Sequence, residues 1–326
     1  MEVLPRAAIG VCLFGALSLF ASPESVADNG LHQLREKVNS GTVGVLSARS
    51  DSTFTRLADD MGIVLDDDNL RVLTTLGGGS LQNVEDLLVL RGIDVAFTQA
   101  DTLSFYDNVD VFPGLKNLIS YIAKVHDEEF HLLTTVEINN IDDLAGKRVN
   151  FGKEGTGTFL TSSIVFDKLG LTVEATTYPH SEAFELLKSG EIAAMAKVDG
   201  KPVGLLQKAS LDDRVHLIEV PYERLSDTYN SATLSHQDYP ELFAPNDYVD
   251  TVSVPSLLAV YNWPTDHPRG IKVNRFIEAL FERFGEFTNP AKGFDDKWQQ
   301  INLGDEVPGW TRASKAAEIL ESSQTQ

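Results

Sequence analysis

The stretch Arg148–Leu169, RVNFGKEGTGTFLTSSIVFDKL, decides how the rest of the chain is read. Arg148–Phe151 is a short apolar strand, Gly152–Gly157 a glycine-rich turn, and the remainder an amphipathic helix opened by Thr156 or Thr158. Phe159, Ile164 with Val165, and Leu169 supply an apolar stripe at near-helical spacing. Glycines at 152, 155 and 157 let the backbone turn with positive φ and approach a bound group closely. The first amides of such a helix lack internal acceptors, and the helix dipole adds partial positive charge, so the turn suits a carboxylate, phosphate or similar anion. A plain strand-to-helix turn with a threonine cap would carry the same residues. What separates the two readings is recurrence.

The turn recurs. Thr42–Ala48 predicts a first strand, followed by Arg49-Ser50-Asp51-Ser52-Thr53 and a helix with Phe54, Leu57, Ala58 and Met61 on one face, capped by Asp51 or Ser52. Leu70–Leu76 predicts a second strand, running into Gly77-Gly78-Gly79-Ser80 and a helix marked by Leu81, Val84, Leu87 and Leu88 and closed by Gly92. Ile93–Thr98 is a third strand ending at Gln99-Ala100-Asp101. Further strands are expected at 118–124, 130–136, 171–178, 192–197, 215–220 and 249–262. Helices are expected at 182–189, 202–211, 273–287 and 313–322, a short capped one at 141–144, and irregular chain between 221 and 248. Alternation of strand, polar turn and helix argues for mostly parallel sheets covered by helices, with ligands beyond the carboxyl ends of the strands. The second αβ series starts near Asn139. That predicts a discontinuous lobe I (42–135 with 260–326) and a lobe II (136–259), joined by crossing segments near 134–140 and 251–259 and hinged around a ligand.

The 326 residues carry 27 basic and 48 acidic side chains, net −21. Residues 1–27 have the pattern of a cleavable secretory signal: Arg6, an apolar run from Ala7 to Phe20, and small residues for cleavage after Ala27 or Ala21. The one cysteine, Cys12, lies in that run, so the mature chain would have no disulfide. Without the signal the balance is 26 basic to 46 acidic, net −20. A charge this negative argues against nucleic acid or an anionic membrane as partner. It permits a small anion, because a local array of amides outweighs a remote, screened net charge.

Three segments resemble one family. LTTLGGGSLQNVEDLLVLRGIDVAFTQAD (73–101), IDDLAGKRVNFGKEGTGT (141–158) and SEAFELLKSGEIAAMAKVDGKPV (181–203), in this order and spacing, are similar to segments of the TAXI solute receptors of TRAP transporters. The resemblance implies an α/β, two-lobed periplasmic-binding-protein (type II) fold, each lobe a mostly parallel sheet flanked by helices. It also implies a monomeric periplasmic receptor that hands a small carboxylate-bearing solute to the membrane permease subunits of a TRAP carrier. By position it implies ligand-binding roles for Ser52, Thr53, Gly79, Ser80, Gln99, Asp101, Gly155, Thr156, Gly157, Thr158 and Lys197. Two turns depart from the family: the first reads Arg49-Ser50-Asp51-Ser52-Thr53-Phe54 where glycines and a tyrosine are usual, and Lys197 and Lys201 stand in a usually apolar turn.

A carboxylate would be held by amides and hydroxyls at Thr156–Thr158, with Ser52 and Thr53 reaching from the other lobe. Arg49, Lys153 and Lys197 are the candidate cations, each of which is elsewhere more often simply solvated. Gln99 and Asp101 either receive an ammonium or hydroxyl or cap a helix at 102–107. Tyr178, Tyr229 and Trp263 either line the cleft or belong to core and rim. No catalytic pattern is present: no Gly-x-Ser-x-Gly elbow, no Walker A turn, no defensible metal spacing for His126 and His131, and no calcium loop around Asp66-Asp67-Asp68. The sequence therefore predicts a binding protein without cofactor, metal or covalent chemistry. An ABC-transporter or sensor-kinase receptor, or an enzyme on the same two-lobed fold, are the alternatives.

Overall fold

The computed structural model describes residues 23–208 and 214–324. These fall into two compact units, one ending at Ser40 and one beginning at Gly41. The described part of the first, residues 23–40, lies in helix α1 (Pro23–Gly41), and residues 30–40 are exposed. The sequence predicts a polar lead-in over 28–41. Leu31, Leu34 and Val38 recur at helical spacing there, a pattern compatible with the helix although all three are exposed. Most of the expected signal, residues 1–22 with Cys12, and the end of the expected 202–211 helix lie outside the described residues.

In the second unit the strands are β1 (Thr42–Leu46), β2 (Arg71–Thr75), β3 (Val95–Gln99), β4 (Ile119–Thr135), β5 (Arg148–Asn150), β6 (Glu174–Thr176), β7 (Ala194–Asp199), β8 (Val215–Leu217), β9 (Asn230–Ser235) and β10 (Tyr248–Tyr261). The helices are α2 (Thr53–Leu65), α3 (Ser80–Val89), α4 (Ala100–Val109), α5 (Leu115–Leu118), α6 (Gly157–Lys168), α7 (His180–Lys188), α8 (Gly204–Lys208), α9 (Pro268–Glu282), α10 (Phe284–Phe287) and α11 (Ser314–Gln324). The strand order is β2-β1-β3-β10-β4-β7-β5-β6, with β9 beside β10 and β8 beside β4. Read inward from either end, the order repeats: second strand, first strand, third strand, then a long strand supplied by the other half. Within each half the outer strands are parallel (β1 with β2 and β3, β5 with β6 and β7), while β10 and β4 run antiparallel to their neighbours.

Side-chain alternation gives each half two cores, one on each face of its sheet. In the first half Val43, Val45, Val95 and Phe97 pack under α2 and α9 with Leu57, Met61, Phe276 and Leu280. Leu46 and Ala96, pointing the other way, join Val84, Leu87, Leu103 and Tyr106 of α3 and α4. The second half repeats the scheme: Phe130, Leu132, Ala194 and Ala196 face Val165 and Phe166 of α6, whereas Leu133 and Met195 face Phe184 and Leu187 of α7.

Two differences from the sequence expectation matter. Strands predicted at 118–124 and 130–136 are one strand, β4, because the polar run His126-Asp127-Glu128-Glu129 contains no glycine or proline and His126, Glu128 and Glu129 are buried. The region 221–248, expected to be irregular, holds β9, whose small polar residues pair antiparallel with β10. Residues 119–129 of β4 pair with β10 and residues 129–134 with β7, so this strand crosses from one half to the other in its own middle.

The returning segment is tied to the first half by a buried carboxylate. Asp94, fully buried just before β3, accepts the Gly44 amide at 3.0 Å and pairs with Arg269 (2.8 Å) and Lys272 (2.6 Å) at the start of α9. Gly44 is required there, since a Cβ would stand 1.9 Å from the Gly92 carbonyl oxygen. Asp94→Ala would remove the carboxylate shared by two cations and the Gly44 amide, leaving Arg269 the Ile93 carbonyl and Lys272 that of Thr42, so we expect a loss of about 3 kcal/mol, the scale of a broken buried pair. Chemical denaturation checks this, and a midpoint equal to that of the unsubstituted protein would contradict it.

Candidate functional site

Four helices of eight residues or more begin at one place. The N-terminal turns of α2 and α3 from the first half and of α6 and α7 from the second border a cavity of about 680 Å³. This volume lies in the range of small-molecule sites. Each turn is shaped by its cap. Ser52 Oγ accepts the Thr55 amide at 3.2 Å, and Thr156 Oγ1 accepts the Phe159 amide at 3.2 Å while donating to the Lys153 carbonyl at 2.6 Å. The Thr158 hydroxyl is committed to β7, 3.1 Å from the Val198 amide and 3.3 Å from its carbonyl. The hydroxyls at 156 and 158 are therefore structural, and what this turn offers the cavity is its amides. Those of Gly157 and Thr158 have no acceptor among the described residues.

Of the residues expected to bind, Ser52, Gly79, Ser80, Gln99, Thr156, Gly157, Thr158 and Lys197 line the cavity. Thr53, Asp101 and Gly155 lie behind the lining and join the two halves. Thr53 Oγ1 donates to Asp199 at 3.1 Å, Asp101 accepts from Thr161 (2.7 Å) and Tyr229 (3.2 Å), and the Gly155 carbonyl accepts the Gln82 amide at 3.1 Å. Asp101 thus neither caps α4 through its side chain nor reaches the cavity, and Tyr229 serves it from the second half. Tyr178 takes Arg148, and Trp263 stacks on His267 at 4.6 Å, so the three aromatic candidates belong elsewhere. Among the described residues no group of three His, Cys, Asp or Glu could hold a metal ion.

The candidate cations differ. Lys197 is paired with Asp199 at 2.8 Å, and Asp199 is further held by Thr53 and the Gly200 amide at 3.0 Å. Burial pushes the Asp199 carboxyl up, but Lys197 outweighs it and holds the group at about 2. Arg49 pairs at the surface with Asp51 at 3.3 Å. Lys153 is exposed at the rim, with no ion-pair partner among the described residues.

Sequence reading missed the floor. Glu128, on β4 where that strand crosses between the halves, lines the cavity beside Phe54, and its Oε2 accepts Gln99 Nε2 at 2.6 Å. Burial, with Asp199 nearby, pushes its carboxyl well above the usual range. Phe54 stacks on Phe97 (5.0 Å) and meets His126 edge-on at 6.0 Å, closing the floor from below. Gln99 is held from above by Gly157, where a Cβ would fall 1.7 Å from Gln99 Oε1. The available signal was a run of four polar residues between two apolar strands without a glycine or proline.

Two α/β halves of matching strand order, exchanging one long strand each and meeting at a cavity beyond their strand ends, define the fold of the periplasmic binding proteins. The chain belongs to the NMT1-like family, whose model matches residues 56–293. A protein from Bordetella bronchiseptica RB50 superposes with a TM-score of 0.52 at 12% identity, over 87% of this chain and 90% of that one, which supports the fold. The periplasmic binding protein BugD aligns at 0.47 and 14% identity over 87% and 93%, and an ancestral arginine-binding protein bound to arginine at 0.46 and 15% over 80% and 96%.

Asp101 gives the junction a pH signature. Burial raises its carboxyl to about 6, only partly offset by the two hydroxyls. A carboxyl raised in the folded state costs stability above that pH, and the cost fades as pH falls through about 6 toward the unfolded value near 4. Asp101→Asn keeps an acceptor for both hydroxyls and removes the titration. Its stability relative to the unsubstituted protein should therefore drop by on the order of 1–3 kcal/mol between about pH 7.5 and pH 4.5. A difference that stays constant across that range in denaturation curves would contradict the assignment.

Proposed function

We propose that the protein is an extracytoplasmic receptor that captures a small carboxylate-bearing solute between its two halves and delivers it to a TRAP-type membrane carrier. One observation carries this reading: helix N-termini from both halves converge on a single cavity, where the amides of Gly157 and Thr158 are left unpaired. Partial positive charge from several helix ends, at a site partly shielded from water, favours an anion over its hydrated state. Lys153 and Arg49 at the rim add attraction during encounter. The resemblance of residues 73–101, 141–158 and 181–203 to TAXI receptors supports the carrier type, and the secretory pattern of residues 1–27 supports the compartment. In this reading Ser52, Gly79, Ser80, Gln99, Gly157 and Thr158 contact the solute, through backbone amides at α6. Thr53, Asp101 and Gly155 act by holding the halves together, and Thr156 by shaping the turn. Closure, rather than covalent chemistry, is the event the protein performs.

A thermal-shift screen of the mature protein against dicarboxylates, amino acids, sulfonates and inorganic oxyanions tests this. A carboxylate at 100 times its dissociation constant should stabilise by about 2.7 kcal/mol. Gly157→Ala, which would drive a methyl group into Gln99, should abolish that shift. No stabilisation by any anion, or an undiminished shift in the variant, would remove the proposed site.

A further inference from the structure

Among the described residues Glu128 is the one carboxyl lining the cavity that has no lysine or arginine partner, Asp51 being paired with Arg49 and Asp199 with Lys197. Glu128 is 5% exposed, on the strand that crosses between the halves. One oxygen is taken by Gln99 Nε2 at 2.6 Å; the nearest basic atom to the other is His126 Nε2 at 3.9 Å, beyond hydrogen-bond reach. His126 cannot serve as counter-ion, because its own burial pushes the imidazole down to about 3 and keeps it neutral. Lys197, facing from β7, is spent on Asp199 at 2.8 Å. The other charged groups around the floor are acidic or engaged: Arg56 of α2 is paired with Asp295 at 2.5 Å, His180 of α7 is pushed down to about 3 by its burial, Asp101 at the start of α4 is bound by Thr161 and Tyr229, Glu129 on β4 accepts the Lys201 amide at 2.8 Å, and Lys297 is bonded to Gln300 at 3.1 Å. Gln99 gives Glu128 one hydrogen bond; it is 1% exposed, and its Oε1 lies buried against Gly157 without a partner among the described residues.

An ionised Glu128 in the closed cavity would thus be a buried charge with one hydrogen bond and no counter-ion, a costly state that a neutral carboxyl avoids. An anion entering the same cavity raises that cost further by like-charge repulsion. Resting on the reading of this cavity as an anion site, we propose that Glu128 binds a proton whenever the cavity closes on its solute, so that anion and proton are captured together. The balance is one proton taken from solvent onto a Glu128 carboxylate oxygen per closure, with no bond made or broken in the solute. The neutral carboxyl then presents an O–H donor at the floor, opposite the α6 amides, and this donor becomes a specificity determinant. A carboxylate can accept from it, whereas an ammonium cannot.

Titration calorimetry with whichever of succinate, L-glutamate or taurine binds tightest decides this, run at one pH in buffers of low and high ionisation enthalpy. Net uptake of up to one proton per anion is expected near neutral pH, with affinity tightening by up to about tenfold per pH unit on acidification between about pH 7.5 and 5.5. Glu128→Gln carries the neutral shape permanently, so it should lose both the uptake and the slope and bind more tightly than the unsubstituted protein at the alkaline end. Binding with no proton uptake, or with proton release, overturns the proposal and leaves the anion receptor standing. Uptake that persists in Glu128→Gln assigns the proton to another group and overturns it as well. If none of the three anions binds, the receptor reading fails and the inference falls with it.

Discussion

The structure depends on unpaired backbone amides at the starts of helices. Every helix leaves such groups over, and an isolated one satisfies them with water or a side-chain cap. Here the strand-turn-helix unit is used twice in each half, and the sheets are arranged so that four of these ends point into one space. Charge that would be weak at one terminus is concentrated at several. The acidic balance of the chain does not oppose this, because remote charges are screened by salt while helix-end amides act at short range.

Bringing the ends together requires the halves to be joined without filling the gap. Exchange of β4 and β10 does the joining, since each long strand belongs to both sheets. Hydrogen bonds from Thr53 to Asp199, from Thr161 and Tyr229 to Asp101, and from Gln82 to Gly155 then hold one flank closed. Gly79 permits a close backbone approach between the halves, as a Cβ there would stand 3.0 Å from the Thr156 Cα. The crossing strand also carries Glu128 on the cavity floor, so the chain that joins the halves lines the space between them.

Much of this was legible in the sequence because it rests on local signals. Glycine-rich turns after apolar runs, Ser52 and Thr156 as caps, and helical stripes such as Phe54, Leu57 and Met61 mark the αβ units directly. The roles of single side chains were less legible. Thr158 reads as a ligand hydroxyl, yet its Oγ1 is bonded to Val198, forty residues away. Lys197 reads as an anion anchor, and its partner Asp199 lies two positions along the same strand with its side chain on the same face. Asp101 reads as a pocket residue, but its partners come from α6 and from Tyr229. Glu128 was invisible because a buried charge in mid-strand looks, in sequence, like a turn. Local pattern specifies elements; which polar atoms meet is set by long-range packing.

The central claim is that backbone amides at the start of α6 hold the anion. A crystal structure of the mature protein grown with the carboxylate that stabilises it most tests this directly. The account predicts a carboxylate oxygen within hydrogen-bond distance of the Gly157 and Thr158 nitrogens, with the solute enclosed between the halves. Density for the solute on any other surface, with those two amides facing only water, would contradict it.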